Sequence, residues 1–392
     1  MINEIKSWFI RTCSTSKREV GEIYKSPGEI IFCLYIPVMW MLVVWGLLGD
    51  GMMTKVPVGF IDNDKTAISR EIGRAINSNR AIALESFNTF ENAMRAMRKG
   101  NIYGLAVVPY GYSRDTLSGR GSSVSLYVDE TRFAVAGTLQ FEMSGIISAL
   151  KIKKTAIASL HTGNGTSGAQ RIVNVVHSDF YALGNMQTSF LAFLGGALMP
   201  GVIMVSAMLG FVTAIIREEW HNSVGNWLKS ADGSFSAALL GKIAPHFALY
   251  SFLFLFYMAL FAGQGGFAPT GSLFVWFSLG ALCLGAFAAM AILVAGLAPN
   301  WRSALVVASG YAAPALPFTG FSIPLDSMGE YVRAFSKCLP LTWFIQGQAQ
   351  QWTLDAGLNH MGPTFTALFA LFIIPLFIGY YFFKRKFGKY IS

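Results

Sequence analysis

The sequence predicts an α-helical polytopic membrane protein with six transmembrane helices and an inserted α/β domain. Between Lys242 and Asp326 the only Asp, Glu, Lys or Arg is Arg302, whereas residues 50–179 carry charged side chains throughout. An ionised side chain costs about 2.5 to 3.5 kcal/mol at the centre of a membrane helix, so a long stretch nearly free of charge indicates helices in lipid. Composition agrees, because 13% charged residues is about half the fraction usual in soluble proteins.

Six segments are apolar enough to cross a bilayer, which requires about 20 apolar residues for each helix. None of them contains Asp, Glu, Lys or Arg. The fifth is shorter than the others and is broken by Pro314 and Pro317. The predicted spans are residues 30–49, 190–216, 243–263, 273–297, 303–321 and 364–383.

Short basic segments at both ends of the chain set the predicted orientation. Positive residues next to spans favour the cytoplasmic side, whereas long translocated domains largely escape this rule. The basic residues are Arg11, Lys17, Arg18 and Lys25 before the first span, and Lys384, Arg385, Lys386 and Lys389 after the last. Both termini and the loop 217–242 are therefore expected in the cytoplasm of a bacterial cell, at its inner membrane. Residues 50–182 and a segment of short interfacial or re-entrant helices, 322–362, are expected outside.

Residues 1–29 are interpreted as a cytoplasmic segment that is not a cleaved signal peptide, because its charged part is long and contains several glutamates. Ile2, Ile5, Trp8 and Phe9 fall on one helical face. This pattern favours a helix lying on the membrane surface. A flexible basic tail is the alternative.

The insertion at 50–182 reads as alternating strands and helices. Strands are predicted at 56–61, 82–87, 103–108 and 124–128, and helices at 90–99 and 132–160. A further helix is indicated by the spacing of Ile68, Ile72, Ala75 and Ile76. The four cysteines all lie elsewhere, so the domain must be stabilised by its core alone.

The sequence offers no catalytic residues, cofactor or metal ligands of its own. It lacks a G-x-x-x-x-G-K-[ST] phosphate loop, so ATP hydrolysis is not expected of this chain. Its five histidines are scattered without metal-binding spacing, and no G-x-S-x-G elbow occurs. The chain has a net charge of +9, and much of the basic excess lies beside apolar spans and not in a nucleic-acid-binding motif. Nucleic acid is therefore excluded as a partner, and contact with membrane lipid is favoured.

Several motifs occur in an order typical of one family. Val56 to Asp64 reads as a strand leading into Asp-Asn-Asp, and Arg98 to Tyr112 reads as helix, glycine, strand, proline and glycine. Arg217-Glu218-Glu219 is followed by Gly225, Leu228 and Gly241-Lys242, and Pro317 to Gly320 precedes Leu339-Pro340-Leu341. With one span, a large domain and then five spans, the chain resembles the type-2 ABC exporter permeases that carry an extracytoplasmic domain after the first helix.

The resemblance implies a half-transporter. Two such subunits, identical or closely related, would pair with two cytoplasmic ABC ATPase subunits, which bind the ATP and magnesium. The resemblance also assigns the segment after the second span to coupling with the ATPase. The residues implied are Arg217, Glu218, Glu219, Trp220, Gly225, Trp227, Leu228, Gly241 and Lys242.

The composition of residues 217–242 fits a docking role. Trp220, Trp227 and Leu228 are candidate apolar anchors for a groove in a partner, and the surrounding charges would set the register. The alternative is an ordinary charged loop with tryptophans at the membrane interface.

A substrate pathway is predicted between two subunits, lined by the second and fifth spans. Its aromatic and proline residues would give an apolar, adaptable surface, and the spans contain no Asp, Glu or Lys for an ion relay. An amphipathic or hydrophobic substrate, such as a drug or lipid-like molecule, is therefore expected to be exported. Simple helix packing is the alternative role. The candidate pathway residues are Phe190, Phe193, Pro200, Phe211, Pro314, Pro317 and Phe318.

Two other functions stay open at this level. The chain could be a receptor or anchor similar to phage-infection proteins, with a ligand-binding outer domain and no transport. It could also be a channel or secondary carrier that works without ATP. As an exporter in a Gram-negative envelope, it would present its outer domain to a periplasmic adaptor; the alternative is that this domain gates the outlet.

Overall fold

The computed structural model of the chain describes residues 2–48, 54–117, 123–129, 133–161, 191–263, 271–321, 324–353 and 358–390. These residues fall into two compact units, one formed by 2–48 and 191–390 and the other by 54–161. The predicted pathway residue Phe190 lies outside the described residues.

The helical unit begins with α1 (Ile2–Lys25), so residues 2–25 form a helix rather than a flexible tail. The chain then continues through α2 (Pro27–Ile30), a π-helical turn (Ile31–Tyr35) and α3 (Ile36–Leu48). After a second π-helical turn (Leu191–Gly195), the unit comprises α8 to α15. These helices are α8 (Gly196–Trp220), α9 (Val224–Ser230), α10 (Phe235–Gly263), α11 (Leu273–Leu297), α12 (Trp301–Ala312), α13 (Glu330–Lys337), α14 (Pro340–Thr353) and α15 (Leu358–Phe387).

Five helical segments of the described chain have the length and apolar composition needed to cross a membrane. They are Pro27–Leu48, Phe193–Trp220, Phe235–Phe261, Leu273–Leu297 and His360–Tyr390. The expected count of six such helices is therefore not met in these residues. The predicted fifth span, 303–321, contains only α12, which has 12 residues and gives way to a 3₁₀ turn at Ala313–Ala315. Twelve helical residues extend about 18 Å, well short of a bilayer's hydrocarbon core.

Residues 301–351 nevertheless connect opposite ends of the helical unit. The chain leaves one end at Leu297, where the neighbouring Ala295 carbonyl accepts a hydrogen bond from Lys386 near the end of α15. It reaches the other end by Gln351, whose side-chain oxygen accepts from the Ser272 amide at the start of α11. This connection is made by short helices, because prolines at 314 and 317 follow α12 and stop it from continuing.

Two glycines allow α11 and α15 to cross closely. A Cβ atom added at Gly379 would lie 2.6 Å from the Leu293 amide nitrogen, and one at Gly296 would lie 2.8 Å from the Phe383 nitrogen. Small residues at such crossings let membrane helices pack backbone to backbone. The contact holds the last predicted span against the fourth.

The second unit is a layered α/β fold. Its mixed sheet has the order β2-β1-β3-β4, in which β1 (Val56–Asp62) pairs parallel with β2 (Ile82–Ser86) and with β3 (Gly104–Val108). The remaining strand, β4 (Ser125–Val128), is antiparallel to β3. The helices of this unit are α4 (Ala67–Asn77), α5 (Phe90–Arg98), α6 (Tyr112–Leu117) and α7 (Phe133–His161).

The alternation of side chains along the strands places a core on each face of this sheet. Val58 and Phe60 face α4 and α7, where they meet Ile72 and Leu139. The other face carries Ile61, Leu105 and Ala93 of α5 in a smaller cluster. All four predicted strands are present, with ends within a residue of the expected ones.

Candidate functional site at one end of the helical unit

Elements distant in sequence meet at one end of the helical unit. Lys386 at the end of α15 donates to Glu219 at the end of α8, at 2.8 Å. Arg11 of α1 pairs with Asp232, which lies between α9 and α10, at 3.0 Å. Trp227 of α9 packs edge to face on Phe383. We call this region the gathered end: it contains the C-terminal ends of α8, α11 and α15, the start of α10, and α1 and α9.

A buried ion cluster lies at the centre of the gathered end. Lys242 is fully buried and donates to Glu19 at 2.7 Å and to Glu218 at 2.9 Å. Arg217 donates to Glu19 and, at 2.6 Å, to Glu29. Glu218 also accepts from Arg18 at 2.9 Å and from Ser223. The cluster thus ties α1 and α2 to α8 and α10.

The cluster is balanced in formal charge. Arg18, Arg217 and Lys242 face Glu19, Glu29 and Glu218, so three cations meet three carboxylates. Removing ions from water costs several kcal/mol for each, and their attraction offsets this cost only when pairing is complete. Loss of any one member would leave an uncompensated charge in the interior.

Helix α1 packs against α10 at Gly241 and Pro245. Pro245 has no N–H, so the carbonyl of Gly241, one turn earlier, lacks its usual helical partner. Ser16 of α1 donates to this oxygen at 3.0 Å. A Cβ at position 241 would lie 2.5 Å from the Thr15 Cβ and 2.9 Å from the Thr12 carbonyl. Only glycine at 241 permits this approach.

The predicted coupling residues divide into an interior set and a surface set. Trp227, Leu228, Arg217, Glu218 and Lys242 are buried within this chain. Trp227 and Leu228, the candidate anchors named with Trp220, lie inside this chain, because α9 turns its apolar face onto α15 and the rest of the core.

The surface set lies around the turn that follows α8. Trp220 is 57% exposed and stacks on Trp301, with ring centroids 5.0 Å apart. Glu219 is partly exposed and Gly225 faces open space. Asn222 adopts a positive φ of 53°, which closes the tight turn between α8 and α9. Of the predicted coupling residues, Glu219, Trp220 and Gly225 are therefore the ones that a partner could reach.

The predicted pathway residues are also divided. Phe211 and Pro200 are buried, and Phe211 packs on Tyr250. Phe193, 41% exposed, packs on Phe321 at 4.6 Å between centroids. Pro317 is exposed, whereas Pro314 and Phe318 are half-buried, Phe318 lying against Phe335.

A second proline-freed carbonyl lies within the helical unit. Pro200 leaves the Gly196 carbonyl without its helical partner, and the buried Gln348 of α14 donates to that oxygen. The Gln348 side-chain oxygen accepts from Tyr257 at 3.0 Å and from Trp276 at 3.1 Å. Gln348 therefore joins α8, α10 and α11. Gln348 was not among the residues predicted from the sequence.

These features define a multi-pass integral membrane protein with a separate α/β unit and without a nucleotide-binding motif. The chain belongs to the family described as ABC-2 family transporter protein, whose model matches residues 28–381. It is 21% identical over 388 residues to the probable multidrug ABC transporter permease YbhS of Escherichia coli K12, covering 98% of this chain and 99% of that one. The YbhS protein of E. coli O157:H7 matches to the same extent.

Family membership confirms the resemblance and identifies the chain as a membrane subunit of an ABC transporter. Its relatives are permease components, which are not themselves catalytic. A receptor or anchor function is not favoured by this relationship.

Proposed function

We propose that the chain is the permease subunit of an ATP-driven exporter in a bacterial inner membrane, and that it moves amphipathic or hydrophobic molecules outward. Two permease subunits would pair with two ATPase subunits, which supply the ATP and magnesium sites. The gathered end would face the cytoplasm with both termini, and residues 50–182 would lie outside, where an adaptor could bind. Support comes from the family, from the basic residues near both termini, and from the multidrug description of a relative.

The observation that carries this proposal is the ion cluster of the gathered end. It connects α8, which ends at the turn after Trp220, and α10, which begins after the following short helix α9, with α1. If a partner displaced this turn, α1, α8 and α10 would move together, because separating these helices would leave the charges of the cluster unpaired. Rigid-body movement of packed helices is an established way for a local structural change to be transmitted through a protein. Here it would carry a change at the docked ATPase to the substrate pathway.

The ATPase would dock on the turn formed by Trp220, His221 and Asn222. All three residues are exposed, and the Trp220 ring stacks on His221 and on Trp301, which hold it in place. A large aromatic side chain that is already ordered loses little conformational entropy on binding. Arg217, Glu218 and Lys242 would transmit the movement rather than contact the ATPase.

The substrate pathway would lie between two copies of the chain. An exposed apolar surface runs over α12 and the segment after it, with Val306 at 70% and Val307 at 53% exposure, and includes Pro317. Phe193 and Phe318 would border it. Phe211 and Pro200 would shape α8 from inside without touching the substrate.

Replacing Trp220 tests the proposal. The tagged chain is expressed with its ATPase subunit, and co-purification and ATP hydrolysis are measured. Trp220→Ala should lower ATPase recovery about tenfold or more, as loss of an interface anchor does. Tyr110→Ala, which removes an aromatic side chain 84% exposed in the α/β unit, is the control and should leave recovery unchanged. Recovery of no ATPase with the unmodified chain, or equal recovery with Trp220→Ala, would refute the proposed docking site.

A further inference from the structure

A long apolar groove runs along the outside of the helical unit. It has a volume of about 930 Å³ and lies between α10, α11 and α15, with Trp8 of α1 at one end. On α11 its lining extends from Phe274 to Ile292, positions 18 residues apart in sequence and so about 27 Å apart along the helix. This length is close to the thickness of a bilayer's hydrocarbon core. The groove is therefore long enough to extend across most of the hydrocarbon core.

The lining is shaped to hold an aliphatic chain. Ala281, Gly285 and Ala289 line the α11 side with small side chains, while Phe277 and Phe377 are bulky neighbours. The two serine hydroxyls in the lining are already engaged: Ser278 donates to the Phe274 carbonyl at 2.7 Å, and Ser236 accepts from Trp8 at 3.0 Å. The groove therefore offers few hydrogen-bonding partners to a polar ligand. An acyl chain needs none, and its methylene groups would gain closer van der Waals contacts in the groove than among fluid lipid chains.

The end of the groove at Trp8 has the composition of a membrane interface. Trp8 and Tyr380 line it, and tryptophan and tyrosine concentrate at the level of lipid headgroups. Lys384 lies one helical turn beyond Tyr380, on the same face of α15. Its side chain is exposed, and it forms no salt bridge within the described residues. An exposed lysine at this level attracts anionic headgroups.

We infer that this groove binds an acyl chain of an anionic phospholipid, whose headgroup lies at Lys384 near the gathered end. The lipid is a resident of the site and not the exported substrate. Because α1 closes the groove through Trp8, the bound chain also supports the position of α1 on α10. The inference does not depend on an ATPase partner or on the direction of transport.

Native mass spectrometry of the full chain in detergent, supplied with phosphatidylglycerol or phosphatidylcholine, tests the inference. The unmodified chain should retain one phosphatidylglycerol. Ala281→Phe fills the groove from a half-buried position and should lower retention about fivefold or more. Ala370→Phe adds the same side chain at an exposed position of α15 outside the groove lining and should leave retention unchanged.

Two further variants separate the acyl and headgroup contributions. Lys384→Gln should reduce the preference for phosphatidylglycerol over phosphatidylcholine about fivefold, and Lys384→Arg should preserve it. Phe377→Ala opens the side of the groove at a residue 69% exposed, so it should weaken retention without a risk to folding.

Three results would overturn the inference. The first is equal lipid retention by the unmodified chain, Ala281→Phe and Phe377→Ala. The second is cross-linking between two copies through cysteines placed at positions 240 and 377, which would make the groove a subunit interface. The third is binding of the lipophilic cation tetraphenylphosphonium that Ala281→Phe abolishes while the lipid stays bound, which would make the groove a site for transported compounds.

Discussion

The hydroxyl of Ser16 donates a hydrogen bond to the carbonyl oxygen of Gly241, at 3.0 Å and across 225 residues of sequence. That oxygen is available because Pro245 lacks the N–H that would otherwise bind it. The proline and the glycine together make a notch on α10, and α1 fills it. The same residues place Glu19 within reach of Arg217 and Lys242.

Gly241→Ala should detach α1 from α10. The new Cβ would lie 2.5 Å from Thr15 and 2.9 Å from the Thr12 backbone, so one helix must shift. We expect a loss of about 1 to 3 kcal/mol in the free energy of unfolding, as overpacking causes. Gly225→Ala is the matched control, because nothing lies within 4 Å of its added Cβ. Thermal unfolding in detergent should show a lower Tm for Gly241→Ala alone. Equal Tm values for the two variants would contradict the close packing of α1 on Gly241.

Lys242→Met should destabilise the helical unit by about 3 to 5 kcal/mol, because Glu19 and Glu218 would lose the buried cation that they share. Adding Glu19→Gln to this variant should recover part of the loss, since one excess carboxylate is removed. The exposed Lys229→Met is the control and should change little. A double variant no more stable than Lys242→Met would show that the cluster is not coupled as described.

Gln348→Leu should cost about 1 to 3 kcal/mol, because the buried Tyr257 hydroxyl, the Trp276 N–H and the Gly196 carbonyl lose a partner. Pro200→Ala would restore an N–H for the Gly196 carbonyl. The cost of Gln348→Leu should therefore be smaller in a Pro200→Ala background. A double-mutant cycle of thermal stability measures this coupling, and strictly additive effects would exclude it.

Gly379→Ala should separate α11 and α15, since its Cβ would lie 2.6 Å from the Leu293 amide nitrogen. Backbone atoms cannot move aside as a flexible side chain can, so we expect a loss of about 1 to 3 kcal/mol. Gly46→Ala on α3 has no atom within 4 Å of the added Cβ and serves as the control. Size-exclusion profiles after heating should show earlier loss of the monodisperse species for Gly379→Ala only.

The α/β unit should lose stability in acid through Asp64. Burial acts to raise the pKa of this carboxyl, but hydrogen bonds from Ser113 and Thr66 outweigh that effect and lower the pKa below its ordinary value. A lowered pKa in the folded state contributes stability that is complete above the unfolded value, about 3.9, and is lost as pH falls through the folded value. Hydrogen exchange of residues 56–117 should speed up in that range, and Asp64→Asn should remove this part of the pH dependence.

Patterns along the sequence predicted the elements whose causes are local. Continuous apolar runs identified most of the long helices, and short runs of apolar and β-branched residues in Val56–Asp62 and Gly104–Val108 identified strands to within a residue. The helix Phe90–Arg98 was predicted by its apolar spacing and by the glycine that follows it. In each case the residues that decide the structure are neighbours in the chain.

The ion cluster could not be predicted in this way, because Glu19 lies 198 residues from Arg217 and 223 from Lys242. A signal was nevertheless present: Glu19 and Glu29 are acidic residues in a segment beside a span, where basic residues are the usual ones. Trp227 shows a second limit. An apolar face on a seven-residue helix does not indicate whether it packs on its own chain or on a partner.

The most direct test of the account is photo-cross-linking from Asn222, at the exposed turn after α8, in cells that contain the ATPase subunit. A photoreactive residue at position 222 should capture the ATPase, whereas the same residue at position 110 in the α/β unit should not. Capture from position 110 in place of 222 would mean that the gathered end does not face the ATPase, and the proposed route of coupling through Arg217, Glu19 and Lys242 would be contradicted.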